Sequence, residues 1–229
     1  MKYIINFLKH PVFITSVVII LGTAGLVALV IAAPSDPQES AEAVERYWGV
    51  EDADIVVTNY TDFQCPACGQ FHELTTSQLK ETYDEEIKFV FKHFPLPSYL
   101  PNSQTAAEAA EAAGAQGKFW EYHDLLYARQ NESSTWGIST FVDYAEELEL
   151  DTERFENELR DDVYRQAVRD SVDEGNEAGV NATPSIFIND EKIDNPTFET
   201  LQARIEALQA ETETTPSPTA TPTKKSDEE

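Results

Sequence analysis

Residues 59–74 read NYTDFQCPACGQFHEL and hold both cysteines of the chain, Cys65 and Cys68. The residues leading into this stretch, ADIVVTNYTDF (53–63), have the Ile, Val, Tyr and Phe content of a buried strand that ends near Phe63. Pro66 then stands where a helix accepts its first residue, because the N–H that proline lacks has no intrahelical partner there. Cys65 is thereby placed at the N-cap and Cys68 one turn in. A spacing of i and i+3 in a first turn puts the two sulfurs on one face, close enough to join as a disulfide with little strain. The same position makes them unequal. Unpaired backbone N–H groups and the positive end of the helix dipole favour a thiolate at Cys65, whereas Cys68, deeper in the turn, is expected to be less exposed. One sulfur attacks and the other resolves.

On the residues alone, two chemistries compete for this pair. A purely structural disulfide is a poor explanation, since so short a loop gains little from closure. A metal site needs further ligands: His72 follows Cys68 by four residues, and His93 or His123 completes a Cys2His2 set on paper. No second paired motif such as HxxxH is present, and an oxidising compartment favours a disulfide over zinc thiolates. His72 and His123 otherwise read as core or surface histidines in helices rich in aromatics.

Compartment therefore matters, and the N-terminus speaks to it. Residues 12–33, VFITSVVIILGTAGLVALVIAA, run 22 residues without a charge. As a helix at about 1.5 Å per residue they cover roughly 33 Å, enough for a hydrocarbon core of about 30 Å. They read as a transmembrane signal-anchor, longer than the usual apolar region of a cleaved signal peptide, with Ala32 and Ala33 leaving cleavage as the alternative. Lys2 and Lys9 precede the run, and the first charges after it are Asp36, Glu39, Glu42 and Glu45. The positive-inside bias then puts residues 1–11 in the cytoplasm and everything beyond the span on the extracytoplasmic side of the cell membrane, in single-pass topology.

Beyond the span, residues 34–47 read as a polar linker and 210–229, with their Thr, Pro and Glu, as a disordered tail. The packed domain is expected at 48–209. Its net charge follows from the whole chain, where 42 acidic residues stand against 16 basic ones for a formal charge of −26. Such a surface repels phosphate backbones, so nucleic acid is excluded as a partner. Three strands are expected, in ADIVVTNYTDF, IKFVFKHF (87–94) and PSIFIND (184–190). Between the second and third lies a long helical stretch, with Ser103, Ser139 and Asp151 at N-cap positions and Gly114 and Gly179 where helices stop. A last helix over 195–208 has Pro196 near its first turn. Strands around a helical block make an α/β domain with a helical insertion at about 102–179.

The ordered set DFQCPAC, FVFKHFPL (89–96), AAEAAEAAGAQGKFWEYHDLLYARQ (106–130) and GVNATPSIFIND (179–190) resembles the DsbA-like thiol-disulfide oxidoreductases, especially their membrane-anchored branch. The resemblance covers nearly the whole expected domain. It implies a thioredoxin fold split by a helical domain, with Thr183–Pro184 as a cis peptide bond beside the cysteines. A cis proline there leaves backbone groups for an extended substrate chain to pair with, and it crowds the thiolate against metal. Cys65, Cys68, Pro66, Thr183 and Pro184 are the implied catalytic residues, with no metal and no organic cofactor. The implied activity is oxidation of exported proteins with free thiols, with reoxidation by a membrane redox partner. Two alternatives stay open: a disulfide reductase or isomerase, and an anchored module binding metal through Cys65, Cys68 and a histidine. Two departures from the family stand out. Many relatives carry a buried glutamate six residues before the first cysteine, where this chain has Asn59; Asp62 is a substitute nearer the motif, read here as an exposed loop carboxylate. The best-known oxidants of the family place a histidine between the cysteines, where this chain has only Pro66 and Ala67.

Overall fold

The structure, a computed structural model, describes residues 44–214. The expected span at 12–33, most of the linker and the tail from residue 215 lie outside the described residues. No helix within them is long and apolar enough to cross a membrane.

Strand β1 (Arg46–Gly49) is followed by β2 (Val56–Thr61) and then by α1 (Pro66–Phe71). A π-helical turn, His72–Thr76, carries α1 into α2 (Ser77–Tyr83). Strand β3 (Lys88–His93) precedes the insertion, which is built from α3 (Ser103–Gly114), α4 (Phe119–Ala128), a 3-10 turn at Gln130–Thr135, α5 (Ile138–Glu147), α6 (Thr152–Arg160) and α7 (Arg165–Glu177). The chain then returns through β4 (Ser185–Ile188), β5 (Glu191–Lys192) and α8 (Phe198–Thr214). Among the described residues five strands make one sheet in the order β1-β3-β2-β4-β5. Only the β2–β3 pairing is parallel.

Two of these strands, β1 and β5, were not among the three expected, and β1 begins inside the stretch read as a linker. Arg46, Tyr47 and Trp48 pair with Phe91, Val90 and Phe89, Trp48 stacks on Phe89 at 4.8 Å, and Arg46 donates to the buried Glu111. Strands of four and two residues are too short to show a period of their own; β1 is made by its distant partner β3, and β5 by the tight hairpin it forms with β4. The last helix also runs past residue 209, held by Gln209 donating to Glu86 at 2.6 Å. Of the three expected N-caps, Asp151 is one, its carboxylate accepting from the Arg154 N–H at 3.0 Å. Asn102 and Gly137 take the other two positions, and the Ser103 hydroxyl donates instead to the Leu100 carbonyl. Gly114 closes α3 and Gly179, at φ +78°, follows α7 as expected.

Alternation along β2 sends Val57, Asn59 and Thr61 to one face and Thr58 and Tyr60 to the other. On the first face Val57 meets Phe89 and Ile188, and beside them Leu79, Ile87, Leu201 and Ile205 are almost wholly buried. Farther along, toward the C-terminal ends of β2 and β3, the same face changes character. Phe63, Cys68 and Phe91 pack with the insertion's Tyr122, Leu126, Tyr127 and Phe141. The opposite face is smaller: Tyr60, Phe94, Val180 and Phe187 form its core, and Gly175 of α7 lies so close to Phe94 that a Cβ there would come within 2.7 Å of the ring.

Candidate active site

The C-terminal end of β2 delivers the chain into α1 at the place where open α/β sheets present their chemistry, outside the carboxyl ends of parallel strands. Cys65 is the N-cap, extended at φ −73° and ψ 118°, and Pro66 occupies the first helical position. The Cys65 carbonyl accepts the N–H groups of Cys68 and Gly69 at 3.0 and 3.2 Å. Both cysteines are free thiols. Cys68 is 1% exposed, while Cys65 is only partly covered. Across from them Thr183–Pro184 is a cis peptide bond, and the Cys65 Sγ donates to the Thr183 carbonyl at 3.5 Å. The sequence-expected set of Cys65, Pro66, Cys68, Thr183 and Pro184 therefore converges in space.

Electrostatics separate the two sulfurs. A hydrogen bond from the Cys68 thiol, helped by Thr183 and by the N–H groups of Cys68 and Ala67, outweighs burial and brings the Cys65 thiol down to about 5. Burial, with the negative charge of Cys65 beside it, pushes Cys68 well above the usual thiol range. At neutral pH the reduced pair is one thiolate and one thiol. The chain's overall acidity does not prevent this, because the local donors decide the matter.

Asp62 corrects the sequence reading. It is 2% exposed rather than a loop carboxylate in solvent. Its two oxygens accept the backbone N–H groups of Gln64 and Leu96, both at 2.8 Å, yet burial still lifts it to about 6, with the Cys65 charge contributing in the same direction. Asn59, two residues before the end of β2, is also buried and leaves its Oδ1 without a partner.

Other residues reach the site from the insertion and carry no local sequence signal. Gln130 Nε2 donates to the carbonyls of Phe63 and Cys65 at 2.7 and 2.9 Å. Gln64 answers in the other direction, donating to Ser133 O at 2.9 Å and accepting the Asn102 N–H at 2.7 Å. These amides staple the 3-10 turn onto the loop that presents Cys65. Gly69 is required for it: a Cβ there would lie 2.3 Å from Gln130 Oε1. Tyr127 shares a 2.8 Å hydrogen bond with Thr61 Oγ1 and stacks on His72.

The histidines do not join the cysteines. His93 Nε2 meets Glu111 at 3.0 Å, and Glu111 also accepts from Arg46. Burial alone would raise the Glu111 carboxyl, but His93 and Arg46 together hold it below its ordinary value. His72 and His123 lie edge to face at 4.9 Å. Among the described residues the one group of His, Cys, Asp and Glu side chains close enough to share an ion is His72, His123 and Asp124, without either sulfur. The Cys2His2 arrangement allowed by spacing is thus not formed.

Residues 42–207 match the family model described as Thioredoxin. The fold is similar to that of the crystal structure of oxidised BdbD from Bacillus subtilis, at 21% identity and a TM-score of 0.65 over 74% of this chain and 97% of that one. Chlamydia trachomatis DsbA is similar at 18% identity and a TM-score of 0.64, over 78% and 97% respectively. Among curated proteins, the Na(+)/H(+) antiporter NhaA 1 of Salinispora arenicola is 38% identical over 165 residues, which are 72% of this chain and 24% of that protein. The chain spans about a quarter of the length of the curated relatives it matches, so the activity in their names does not pass to it.

Proposed function

Since the chain belongs to the thioredoxin family and has the fold of its DsbA-like members, we propose that it is a thiol-disulfide oxidoreductase that oxidises the thiols of exported proteins. The observation that carries this reading is the inequality of the two sulfurs: a partly covered Cys65 at a helix start, brought down to about 5, against a buried Cys68 pushed up. In the oxidised enzyme a substrate thiolate attacks Cys65 Sγ, the Cys65–Cys68 bond breaks, and its electron pair leaves on Cys68, which takes up a proton. A second substrate thiolate then attacks the substrate sulfur of the mixed disulfide. Cys65 departs as a thiolate, a good leaving group because of its low pKa. The substrate's two thiols have become a disulfide and the enzyme's disulfide a dithiol. Asp62, near neutrality and within reach of the Cys65 charge, is suited to hold the proton exchanged at the pair. An extended substrate strand would pair with the backbone beside Thr183 and Pro184.

Reoxidation falls to a membrane redox partner, and the catalytic domain works on the extracytoplasmic side, tethered by residues 12–33. Lys2 and Lys9 on the leading side of that run support the orientation. No metal or organic cofactor enters the exchange. The test uses single substitutions: Cys68→Ser accumulates mixed disulfides with exported proteins on non-reducing gels, and Cys65→Ser accumulates none. Equal trapping by both variants, or by neither, would refute the assignment. Protease added to intact cells digests the C-terminal tail if the topology is right. The redox state of the pair in those cells decides direction, since a resident dithiol marks a reductase or isomerase.

A further inference from the structure

We propose that His72, His123 and Asp124 form a binding site for a divalent transition-metal ion such as zinc, separate from the cysteine pair. The π-helical turn begins at His72 and brings its ring against His123 of α4, at an interplanar angle of 83°. Each of the three side chains offers a donor atom, and all three atoms lie within 4.8 Å of one another. His123 Nδ1 is 2.7 Å from Asp124 Oδ1, and His72 Nε2 is 3.7 Å from the same oxygen. A tetrahedral ion with bonds of about 2.0–2.1 Å holds its donors roughly 3.3 Å apart, so the observed separations bracket the requirement. The adjustment falls on Asp124, whose side chain is 63% exposed, and on His72, whose nitrogen must draw closer to that of His123. Packing orients the imidazoles: Trp120, Phe91 and Tyr127 lie against His123, and Tyr127 stacks on His72.

Packing alone accounts for His123, which has its hydrogen bond to Asp124. It does not account for His72. Its Nε2, the ring nitrogen that faces Asp124, has only that oxygen at 3.7 Å, beyond hydrogen-bond distance. A ring nitrogen left in that state beside a second imidazole and a carboxylate is free to take an ion. A cavity of about 410 Å³ opens onto all three residues, with Lys80, Glu81 and Asp84 also on its wall, leaving room for water in the remaining coordination positions. The donor set selects the ion. Two imidazoles and one carboxylate suit zinc, cobalt or nickel, whereas calcium and magnesium require more oxygens than are present.

Such an ion would tie the helix that carries the cysteines to α4 of the insertion, and it would stabilise the folded chain by mass action. The inference stands apart from the redox reading, and its test removes the thiols altogether. Untagged full-length Cys65→Ser/Cys68→Ser protein, stripped with a chelator, is titrated with zinc under equilibrium dialysis and with cobalt under visible absorption. One equivalent bound per chain, with d–d bands of a four- or five-coordinate cobalt ion and a raised Tm, is the expected result. Asp124→Asn and His72→Gln in that background lose the equivalent and the Tm rise. Asp124 is exposed, so Asp124→Asn carries the test even where His72→Gln folds poorly. Absence of saturable binding, or binding that survives both substitutions, overturns the site.

Discussion

Two ends of one sheet face are built from opposite materials. At the end where β2 begins, Val57, Phe89 and Ile188 meet Leu79, Leu201 and Ile205, and apolar side chains fill the space. At the end where β2 and β3 finish, Thr61 and His93 stand in register, and Asp62, Gln64 and Glu111 are buried close by. The first end holds the sheet by displacing water from apolar surface. The second hides polar groups that need partners, and most have them: Tyr127 on Thr61, backbone N–H groups on Asp62, Arg46 and His93 on Glu111, with Asn59 Oδ1 left over. Stability resides in one end and reactivity in the other. The polar end costs more to assemble, and it alone can set a thiol at about 5 beside another pushed far up.

The division is broken most directly at the dry end. Leu79, 0% exposed, leaves a cavity when changed to Ala, and Leu79→Ala should cost about 2–5 kcal/mol in denaturant unfolding. The Cys65 titration, followed by the pH dependence of alkylation of the reduced protein, should stay near 5. A shift of that titration with Leu79→Ala would show that the two ends are coupled. A smaller loss is expected from Gln130→Ala, about 1 kcal/mol, because the part-buried Phe63 O loses its side-chain donor while Cys65 O keeps the N–H groups of Cys68 and Gly69. Unlike Leu79→Ala, it should also slow thiol exchange by loosening the loop under Cys65.

Two pH effects sharpen the same contrast. In the reduced protein, where the Cys65 charge adds to burial, the Asp62 carboxyl is raised from 3.8 to about 6, so the fold prefers its protonated form. That preference is fully present below pH about 4 and is lost as the pH rises through 6. Asp62→Asn should therefore narrow its stability deficit against wild type between pH 4 and 6, read from denaturation curves across that range. The deficit itself remains, because asparagine keeps one oxygen for two N–H donors. In the reduced protein the sign reverses at Cys65. A thiol lowered from 9.0 to about 5 contributes stability that is complete above pH 9 and disappears as the pH falls through 5, so reduced wild type should gain on reduced Cys65→Ser over that interval.

The smallest effect concerns Ala67, which adds a backbone N–H to the thiolate but no side-chain donor. A potential between the strongly oxidising value of about −120 mV and the thioredoxin value of about −270 mV is expected. Ala67→His should raise it and lower the Cys65 pKa further, measured by equilibration against glutathione buffers. A wild-type potential at or below the thioredoxin value would assign the enzyme to reduction.

Legibility in the sequence followed the range of the forces. Cys65 as N-cap, Pro66 at the first helical position and Cys68 as the buried partner follow from rules that operate within one turn, and they were readable. Asp62 was misread because its burial is decided by Leu96, 34 residues away, folding back to donate to it. Gln130 gave no sign at all; a glutamine in a polar turn looks the same whether it faces water or grips a carbonyl 65 residues upstream. Strand β1 escaped for a similar reason, since four residues take their conformation from β3. The fold's outline came from periodicity and from resemblance to a family, whereas the polar scaffolding of the site was written in contacts between segments.

The π-helical turn at His72–Thr76 constrains what evolution or an engineer can do with chain length. It joins a helix that must aim Cys65 and Cys68 at Thr183 to one that must aim Leu79 into the dry core. A π turn carries one residue more than an α turn, and each residue of an α-helix advances about 100° around the axis. Five residues of a π turn sweep nearly the same angle as four of an α turn, so deleting a single residue between 72 and 76 would restore a regular helix and leave α2 facing much as it does now relative to the cysteines. Leu79 would keep its core and the sulfurs their proline, whereas a deletion in the regular turns on either side would rotate α2 by about 100° and part them. Sequences sharing this active site should thus accept the loss of one residue at 72–76 more readily than anywhere else between Cys68 and Leu79.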